Sequence, residues 1–382
     1  MKKSPLIFDY QSTTPCGEEV VEVMRPYWSE FWGNPSLRNN RLNLQAAAAI
    51  SLARDQIASI FSIDSERIVF TSGATEANNL ALLGFARGNA LKTGRLGHLI
   101  TIATEHKAVL APLRQLQREG FSLTELIPSQ DGLISIDQLA DAMRKETILV
   151  SIMSANNEIG VLQPMADISN LCRNCGVTLH TDYSQAFGYL NIKPDDLNLD
   201  MISISGHKIY GPKGIGLLVT KPSLPLLPLQ WGGNQENGLR PGTLPVPLII
   251  GLAKSMELAS QNIETRNQKY RALRNQLWER LNHKVSGLKI NGSWERRLPH
   301  NLNFSVDGVN GNRLHRNLKP LISCSSGSAC SNGEASHVLM AIGLKKQAAE
   351  ASLRLSIGKK TTINDVEKAV DIISDLLISL RD

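Results

Sequence analysis

The feature that most constrains this chain is an alternation, between Ser65 and Val219, of apolar β-rich runs with helical patterns. The runs include RIVFTSG, HLITIATEH, TILVSIM, VTLHTDYS and DMISISGH. Such alternation is typical of an α/β fold in which helices flank a mostly parallel sheet. Because ligands of these folds lie beyond the carboxyl ends of the strands, we look for functional residues there.

The pattern changes after the segment LPVPLIIGLA. A charged, amphipathic stretch from Glu257 to His283 predicts a connecting helix, and the strand-like NLNFSV and SLRLSIG and a last helical pattern follow it. We therefore expect a large α/β domain over residues 16–258. A smaller α+β domain is expected from residues 1–15 and 259–382.

Composition excludes several classes of protein. The net charge is +6, but Lys and Arg are interspersed with Asp and Glu, so a nucleic-acid partner is not expected. No apolar run reaches the roughly 18–20 residues of a membrane span, and Asp9 and Gln11 interrupt any signal peptide. Five cysteines, an odd number, favour a reduced cytoplasmic setting. Cys172 and Cys175 form a C-x-x-C pair without a second pair, so no zinc site is expected.

Polar residues follow four of the predicted strands. Gly73 precedes a predicted helix whose first backbone N–H groups suit a phosphate, although this feature alone is better explained by an ordinary strand-turn-helix with a threonine near its N-cap. His106 follows another strand, where an ordinary surface histidine remains an alternative. Asp182 ends a run that should be buried, and a buried carboxylate needs a cation or a donor. Lys208 follows MISIS and precedes a glycine-rich turn.

These four features together fit one cofactor. The glycines after Lys208 do not form G-x-G-x-x-G between a strand and a helix, and no G-x-x-x-x-G-K-[ST] loop is present, so a nucleotide is disfavoured. A lysine in a closely packed turn can instead form a Schiff base. Pyridoxal phosphate requires such a lysine, an aspartate for its ring nitrogen and donors for its phosphate.

The chain resembles the NifS/IscS-like cysteine desulfurases, fold-type I enzymes of the class V aminotransferase group. The matching segments run from Phe8 to Gly358 and are FDYQSTTP, GNPS, TSGATEANNLAL, TEHKAVL, NNEIGVLQP, HTDYSQAFG, SGHKIYGPKGIG, RPGTLPVP, SSGSACS and SLRLSIG. The resemblance implies a fold-type I pyridoxal-phosphate transferase with a large domain built on a seven-stranded sheet.

The resemblance also implies roles for individual residues. Lys208 is expected to bind the cofactor aldehyde, Asp182 the ring nitrogen, and His106 to stack on the ring and handle protons. Arg354 is expected to bind the substrate carboxylate. The phosphate is expected to be bound by Ala74, Thr75, Ser205 and His207, and by Thr243 of the neighbouring subunit in a homodimer. Gln185 is expected to bind the ring hydroxyl, and Asn157 to contact both the ring and the substrate.

Cys330 is expected to act as the nucleophile. Its setting, SSGSACSNG, is typical of a loop and resembles the group-I branch of the family. The resemblance implies that its thiolate takes sulfur from L-cysteine, leaving alanine and a Cys330 persulfide. The sulfur would then pass to an acceptor or iron–sulfur scaffold protein, for cluster, cofactor or tRNA biosynthesis.

Three segments depart from the family pattern. Leu37, Arg38 and Asn39 follow GNPS, Asn237 stands where many members have Arg, and the stretch from Cys330 to His337 is about two residues shorter. These departures concern substrate handling and sulfur transfer more than cofactor binding. Two alternatives stay open: a pyridoxal-phosphate lyase acting on cystine or selenocysteine, and a non-catalytic sulfur-assembly scaffold.

Overall fold

A computed structural model describes residues 5–191, 193–326 and 335–381. Seven strands form its large sheet. They are β2 (Ile68–Thr71), β3 (His98–Ile102), β4 (Ser122–Leu126), β5 (Thr147–Ser151), β6 (Thr178–Asp182), β7 (Met201–Ser205) and β8 (Gly216–Thr220).

The sheet order is β2-β8-β7-β6-β5-β3-β4. The pairs between β7, β6, β5, β3 and β4 are parallel, and β8 runs antiparallel to both of its neighbours. Except in β4 at the edge, the strand residues are largely buried because helices cover the sheet. The predicted α/β fold with a mostly parallel sheet is confirmed.

Helices alternate with these strands along the chain, as predicted, and other helices precede β2 and follow β8. They are α1 (Glu18–Met24), α2 (Pro26–Ser29), α3 (Arg41–Phe61), α4 (Ala74–Asn79), α5 (Phe85–Thr93), α6 (Lys107–Arg118), α7 (Ile136–Ala142), α8 (Met165–Cys175) and α9 (Val246–Ser260). A π-helical turn, Leu80–Gly84, joins α4 to α5. The Asn40 side chain starts α3 by accepting a hydrogen bond from the Asn43 backbone N–H.

The helix expected over Glu257–His283 is interrupted. The chain ends α9 at Ser260 and starts α10 (Ile263–Lys284) after Asn262, whose φ is 50°. A left-handed backbone conformation cannot continue a right-handed helix, and Asn is one of the few residues that adopt it readily. The amphipathic pattern alone gave no signal for this break.

A second sheet has its own hydrophobic core. Its order is β12-β13-β10-β9, all antiparallel, formed by β9 (Leu288–Ile290), β10 (Asn301–Val306), β12 (Ser325–Ser326) and β13 (Ser352–Ser356). Its helices are α10, α11 (Gly311–Leu318), α12 (His337–Ala341), α13 (Lys346–Glu350) and α14 (Ile363–Ser379). Near the N-terminus, β1 (Leu6–Ile7) pairs in parallel with β11 (Ile322–Ser323). The division between residues 258 and 259 stays a prediction.

Two further features bear on the sequence expectations. In the part of the chain that the structure describes, no helix is both long and apolar enough to cross a membrane. Cys172 is buried and Cys175 exposed at the end of α8, which Gly176 caps in a left-handed conformation. Within residues 5–191, 193–326 and 335–381, no group of His, Cys, Asp or Glu side chains is placed to hold a metal ion.

Candidate active site

A cavity of about 620 Å³ lies at the carboxyl ends of the strands of the large sheet. This is the location at which open α/β sheets place their ligands. The cavity brings together ten of the residues predicted from the sequence, namely Ala74, Thr75, His106, Asn157, Asp182, Gln185, Ser205, His207, Lys208 and Arg354. These residues come from six separate stretches of the chain, so the fold is what assembles them.

Lys208 enters the cavity from a tight turn that follows β7. The turn is a single 3₁₀ segment, Gly206–Lys208, and the Gly206 N–H donates to the carbonyl of Ile215 at the start of β8. The Lys208 Nζ donates to the backbone carbonyls of Gln11 at 2.9 Å and Ser12 at 2.7 Å. Its amine is therefore held at the cavity wall by an N-terminal segment far away in the sequence.

Asp182 is the last residue of β6 and only 8% exposed. Its Oδ2 accepts from the Asn78 side-chain amide at 2.8 Å, and its Oδ1 accepts from the Ser184 N–H at 3.0 Å. These two donors fix the carboxylate and partly compensate its burial. The partners that this buried carboxylate was expected to need are therefore Asn78 in α4 and Ser184 just after β6.

His106 is the N-cap residue of α6. Its Nδ1 accepts from the Ala108 backbone N–H at 3.1 Å, which assigns the proton of the neutral ring to Nε2. Burial lowers the pKa of His106, and the positive charge of Lys208 lowers it further while Asp182 opposes both. The ring is therefore neutral at pH 7, with an N–H donor at Nε2.

The amino end of α4 borders the same cavity, which Gly73, Ala74 and Thr75 line. Gly73 has a φ of 151°, a conformation open almost only to glycine, and it turns the chain from β2 into the helix. Ser205 and His207 face the same cavity from the end of β7. Burial, with Lys208 and Lys213 nearby, lowers the pKa of His207 to about 4, so its ring is neutral.

Arg354, in β13 of the small sheet, reaches the cavity and is 5% exposed. Its Nη1 donates to the Asn157 carbonyl at 2.7 Å, and its Nη2 donates to Asp9 Oδ1 at 2.9 Å. Two buried atoms here have no hydrogen-bond partner among the described residues: Arg354 Nε and Asn157 Oδ1. Buried polar atoms are normally paired, so these two point to a ligand group that completes them.

Several residues of the site were not assigned from the sequence. Asn78 lies one helical turn after Ala74, a spacing that could have indicated a shared face. Gln11 and Ser12 belong to the motif FDYQSTTP, but nothing in the sequence indicated which distant residues they contact. Glu105 is fully buried beside His106, and burial raises the pKa of its carboxyl well above 4.5.

Two predicted site residues are not placed in this cavity. Thr243 is exposed and does not line the cavity of its own chain. The Arg240 side chain, three residues earlier, donates to Glu76 at 2.9 Å, and Glu76 does line it. Cys330 lies outside the described residues, so its role stays a prediction.

The segment in which Asn237 replaces the expected Arg is anchored by its neighbour. Glu236 is 8% exposed and pairs with Arg54 at 2.5 Å, and it also accepts from the Phe70 N–H at 2.7 Å. Asn39, at another departure, accepts from the Asn43 side-chain amide at 2.7 Å beside the start of α3. Both departures are thus stabilised within the chain.

The sequence of this chain matches a known family over most of its length. The family model described as aminotransferase class-V matches residues 6–369. The chain belongs to this family. The Histophilus somni protein named cysteine desulfurase IscS is 44% identical over 100% of this chain and 94% of its own length. This places the chain among the cysteine desulfurases of the family, as the motifs predicted.

Solved structures agree with the sequence relationship. The class-V chain superposes on a NifS-like protein with a TM-score of 0.92 and 31% identity, covering 98% of this chain and 100% of that one. A structure described as SspA in complex with cysteine matches with a TM-score of 0.80 and 38% identity, over 92% and 98% of the two chains. The fold-type I architecture is confirmed.

Proposed function

We propose that the protein is a pyridoxal-phosphate-dependent cysteine desulfurase that converts L-cysteine to L-alanine and a Cys330 persulfide. The observation that carries the proposal is that Lys208, Asp182 and Arg354 line one cavity. An amine, a carboxylate and a guanidinium suit, in turn, an aldehyde, a ring nitrogen and a substrate carboxylate. The IscS relatives support the same activity.

The residues present fit pyridoxal phosphate. The cavity lies within the size range of cofactor sites. The unpartnered buried oxygens Asn157 Oδ1 and Ser184 Oγ require hydrogen-bond partners that the protein does not supply within its described part. Ser205 and His207 lie with the amino end of α4 on the side of the cavity that suits an anion.

In this proposal the expected residues bind different parts of the cofactor. Lys208 would hold the aldehyde, Asp182 the ring nitrogen, Gln185 the ring hydroxyl, and His106 would cover the ring. The phosphate would be held by Ala74, Thr75, Ser205 and His207. When bound, pyridoxal phosphate supplies an electrophilic carbon for the substrate amine and a ring that accepts electrons from the substrate's Cα.

Lys208 and His106 are suited to different proton movements. The Lys208 amine lines the cavity and would take the proton from the substrate's Cα. His106 holds its Nδ1 on the Ala108 N–H, so in this arrangement its Nε2–H is available only for donation. His106 can therefore donate a hydrogen bond from Nε2–H but has no free lone pair to take a proton from a thiol, so a different group would accept the Cys330 proton.

Arg354 and Asn157 would hold the substrate carboxylate. The Arg354 Nε–H is the buried donor without a partner, and Asn157 supplies a neighbouring side chain on the same cavity wall. With the carboxylate held, the Cys330 thiolate would attack the substrate sulfur, so that an S–S bond forms, the bond between Cβ and sulfur breaks and its electron pair stays on the carbon side. Protonation of Cβ and return of a proton to Cα would give alanine, and the outer sulfur of the Cys330 persulfide would pass to a thiol reductant or an acceptor protein.

The decisive experiment compares the purified protein with Cys330→Ser. Each is loaded with pyridoxal phosphate and given L-cysteine and a thiol reductant, and alanine and sulfide are measured. We expect Cys330→Ser to keep its visible cofactor absorbance and to lose alanine production. Mass spectrometry of the wild-type protein should place the additional sulfur on Cys330, with Cys175→Ser as the control that retains activity.

The outcomes separate the alternatives. Undiminished alanine from Cys330→Ser, with cystine or selenocysteine as the better substrate, would identify a lyase. A protein that develops no visible cofactor absorbance with added pyridoxal phosphate would instead be a scaffold. The intact set of Lys208, Asp182 and His106 at the cavity supports the enzyme.

We also propose that the protein acts as a homodimer in which Thr243 contributes to the neighbouring site. Three tryptophans are more than half exposed: Trp231 at 84%, Trp32 at 68% and Trp28 at 62%. The Gln235 side chain donates to Ser36 at 3.2 Å and so connects the segment after Trp231 with the segment after Trp32. The same side chain accepts from the Gly242 N–H at 3.1 Å, next to the exposed Thr243. Exposed large apolar side chains favour a covering protein surface.

A further inference from the structure

The turn from Asp9 to Ser12 contacts both Lys208 and Arg354. The Ser12 N–H donates to the Asp9 carbonyl at 3.2 Å, and Asp9 forms a parallel bridge with Ser356 at the end of β13. The turn is therefore fixed to the strand that carries Arg354. Sequence reasoning assigned no function to Asp9 or Ser12.

On one side, the turn holds the guanidinium of Arg354. Asp9 Oδ1 accepts from Arg354 Nη2 at 2.9 Å, from Ser12 Oγ at 2.8 Å and from Ser325 Oγ at 2.8 Å. Arg354 Nη2 also donates to Ser12 Oγ and, at 2.5 Å, to Ser325 Oγ. One carboxylate oxygen thus accepts from a guanidinium nitrogen and from the two hydroxyls that contact the same nitrogen.

On the other side, the same turn receives the amine of Lys208. The acceptors are the carbonyls of Gln11 and Ser12, at 2.9 and 2.7 Å from Nζ. The Gln11 N–H is itself fixed by Ser356 Oγ at 2.9 Å, and the Gln11 side chain accepts from Asn301 at 2.7 Å. The turn is rigidly supported and can keep Lys208 and Arg354 at a set separation.

The network leaves one nitrogen of Arg354 without a hydrogen-bond partner among the described residues. Nη1 is on the Asn157 carbonyl and Nη2 on the Asp9 cluster, whereas the buried Nε has no partner in the described part of the protein. Arg354 lines the cavity, so a ligand carboxylate there can complete its hydrogen bonding. Asp9 thereby fixes which donor is left for the ligand.

We propose that Asp9, supported by Ser12, is a positioning residue that sets the distance between the carboxylate-binding donor of Arg354 and the amine of Lys208. This inference rests on the proposed function and adds a residue that acts through Arg354. An amine-binding and a carboxylate-binding group in one cavity suit a ligand that carries both groups, as an α-amino acid does. Asp9 acts through the position of its Oδ1 acceptor and not through its negative charge. The charge alone would compete with a ligand carboxylate for Arg354.

Three substitutions separate acceptor geometry from charge. Asp9→Asn keeps an acceptor oxygen and removes the charge, Asp9→Ala removes both, and Ser12→Ala removes one member of the cluster. The matched control is Asp307→Ala, which removes an ion pair between Asp307 and Lys289 on an exposed surface. All variants are purified with pyridoxal phosphate bound, and their cofactor absorbance and thermal unfolding are recorded first.

Binding is then measured by calorimetry with two ligands, L-alanine and ethylamine. Ethylamine is L-alanine without its carboxylate, so it reports amine binding alone. For L-alanine we expect Kd to rise about tenfold in Asp9→Ala and about threefold in Ser12→Ala, and to stay at or below the wild-type value in Asp9→Asn. For ethylamine, and for Asp307→Ala with either ligand, we expect changes below twofold.

Three results would overturn the inference. They are an L-alanine Kd in Asp9→Ala within twofold of wild type, an Asp9→Asn variant as weak as Asp9→Ala, and an equal loss for ethylamine. If Asp9→Ala does not fold, Ser12→Ala and Asp9→Asn still decide between the two outcomes. Failure of the proposed function is distinguishable, because a protein that releases no alanine from L-cysteine can still show these binding differences.

Discussion

Glu105 illustrates at the residue scale how burial sets a protonation state beside the candidate active site. Its side chain is fully buried, Oε1 accepts from the Met153 N–H at 2.5 Å, and Oε2 has no partner within the described residues. Burial raises the pKa of this carboxyl well above 4.5, and the Asp182 charge adds to the effect. The carboxyl is protonated in the folded protein at moderately acidic pH.

The pH dependence of stability tests this protonation state. Above pH 4.5 the unfolded chain loses the Glu105 proton while the folded chain keeps it until its own higher pKa. The Glu105 contribution to stability is therefore full below pH 4.5 and declines as the pH rises, by about 1.4 kcal/mol per pH unit.

We predict that Glu105→Gln, which cannot ionise, gains thermal stability relative to the wild type as the pH rises from 5 to 8. Glu22→Gln, at an exposed position, is the control and should show no such trend. A constant difference in Tm between Glu105→Gln and the wild type across this range would contradict the prediction.

At the scale of secondary structure, the start of α4 depends on a single backbone conformation. Gly73 has a φ of 151°, and a Cβ built there would meet only Ser205 Oγ, at 4.0 Å. The cost of a side chain at this position is therefore conformational rather than steric. Relief of that strain would turn the first N–H groups of α4 away from the cavity.

We predict that Gly73→Ala weakens pyridoxal phosphate binding at least tenfold, measured from visible absorbance during titration of the cofactor-free protein. Gly94→Ala is a matched control, since Gly94 also has a positive φ, of 70°, and open space around it, but caps the far end of α5. Gly94→Ala should reduce stability and leave cofactor affinity unchanged. Equal affinities for both variants would show that the α4 terminus does not hold the phosphate.

The individual strand ends were predictable from the sequence for a local reason. An apolar run that stops at a polar residue indicates both the strand and its end, and Asp182 and the Lys208 turn lie where this pattern placed them. His106 likewise follows β3. The break between α9 and α10 was not predicted because it depends on the left-handed backbone conformation of Asn262. Many exposed asparagines do not adopt this conformation, so the residue type alone does not indicate a break.

At the scale of the whole molecule, the partners of Lys208 and Arg354 could not be predicted. Asp9 and Arg354 are 345 residues apart in the chain, and their contact depends on the pairing of β1 with β11 and the bridge from Asp9 to Ser356. Short apolar strands carry no information about which distant strand they join. The motif FDYQSTTP therefore marked the family without revealing what its residues touch.

The proposed sharing of sites between subunits makes a prediction about mixed dimers. Lys208→Ala and Thr243→Asp should each inactivate the homodimer, the latter because a carboxylate repels the cofactor phosphate. If Thr243 acts across the interface, a heterodimer of the two variants contains one intact site. We predict that co-refolding them restores about a quarter of wild-type activity, with half of the dimers mixed and one site active in each.

Size-exclusion chromatography with light scattering should accompany the mixed-dimer assay, and the expected mass is twice the 41.9 kDa of one chain. Each variant refolded alone is the control. A mixture that stays as inactive as its two components would place Thr243 at the site of its own chain, and a Thr243→Asp homodimer that keeps its activity would remove Thr243 from the site.

The antiparallel strand β8 also determines where the chain can vary in length. Parallel neighbours of the sheet are joined by long crossovers, which can accept additional residues at the surface. Residues 206–215, by contrast, return directly from β7 to β8, and Cβ atoms on Gly211 and Gly216 would lie 2.5 and 2.4 Å from neighbouring atoms. One inserted residue in this connection would move the Lys208 amine away from the Asp9–Ser12 turn.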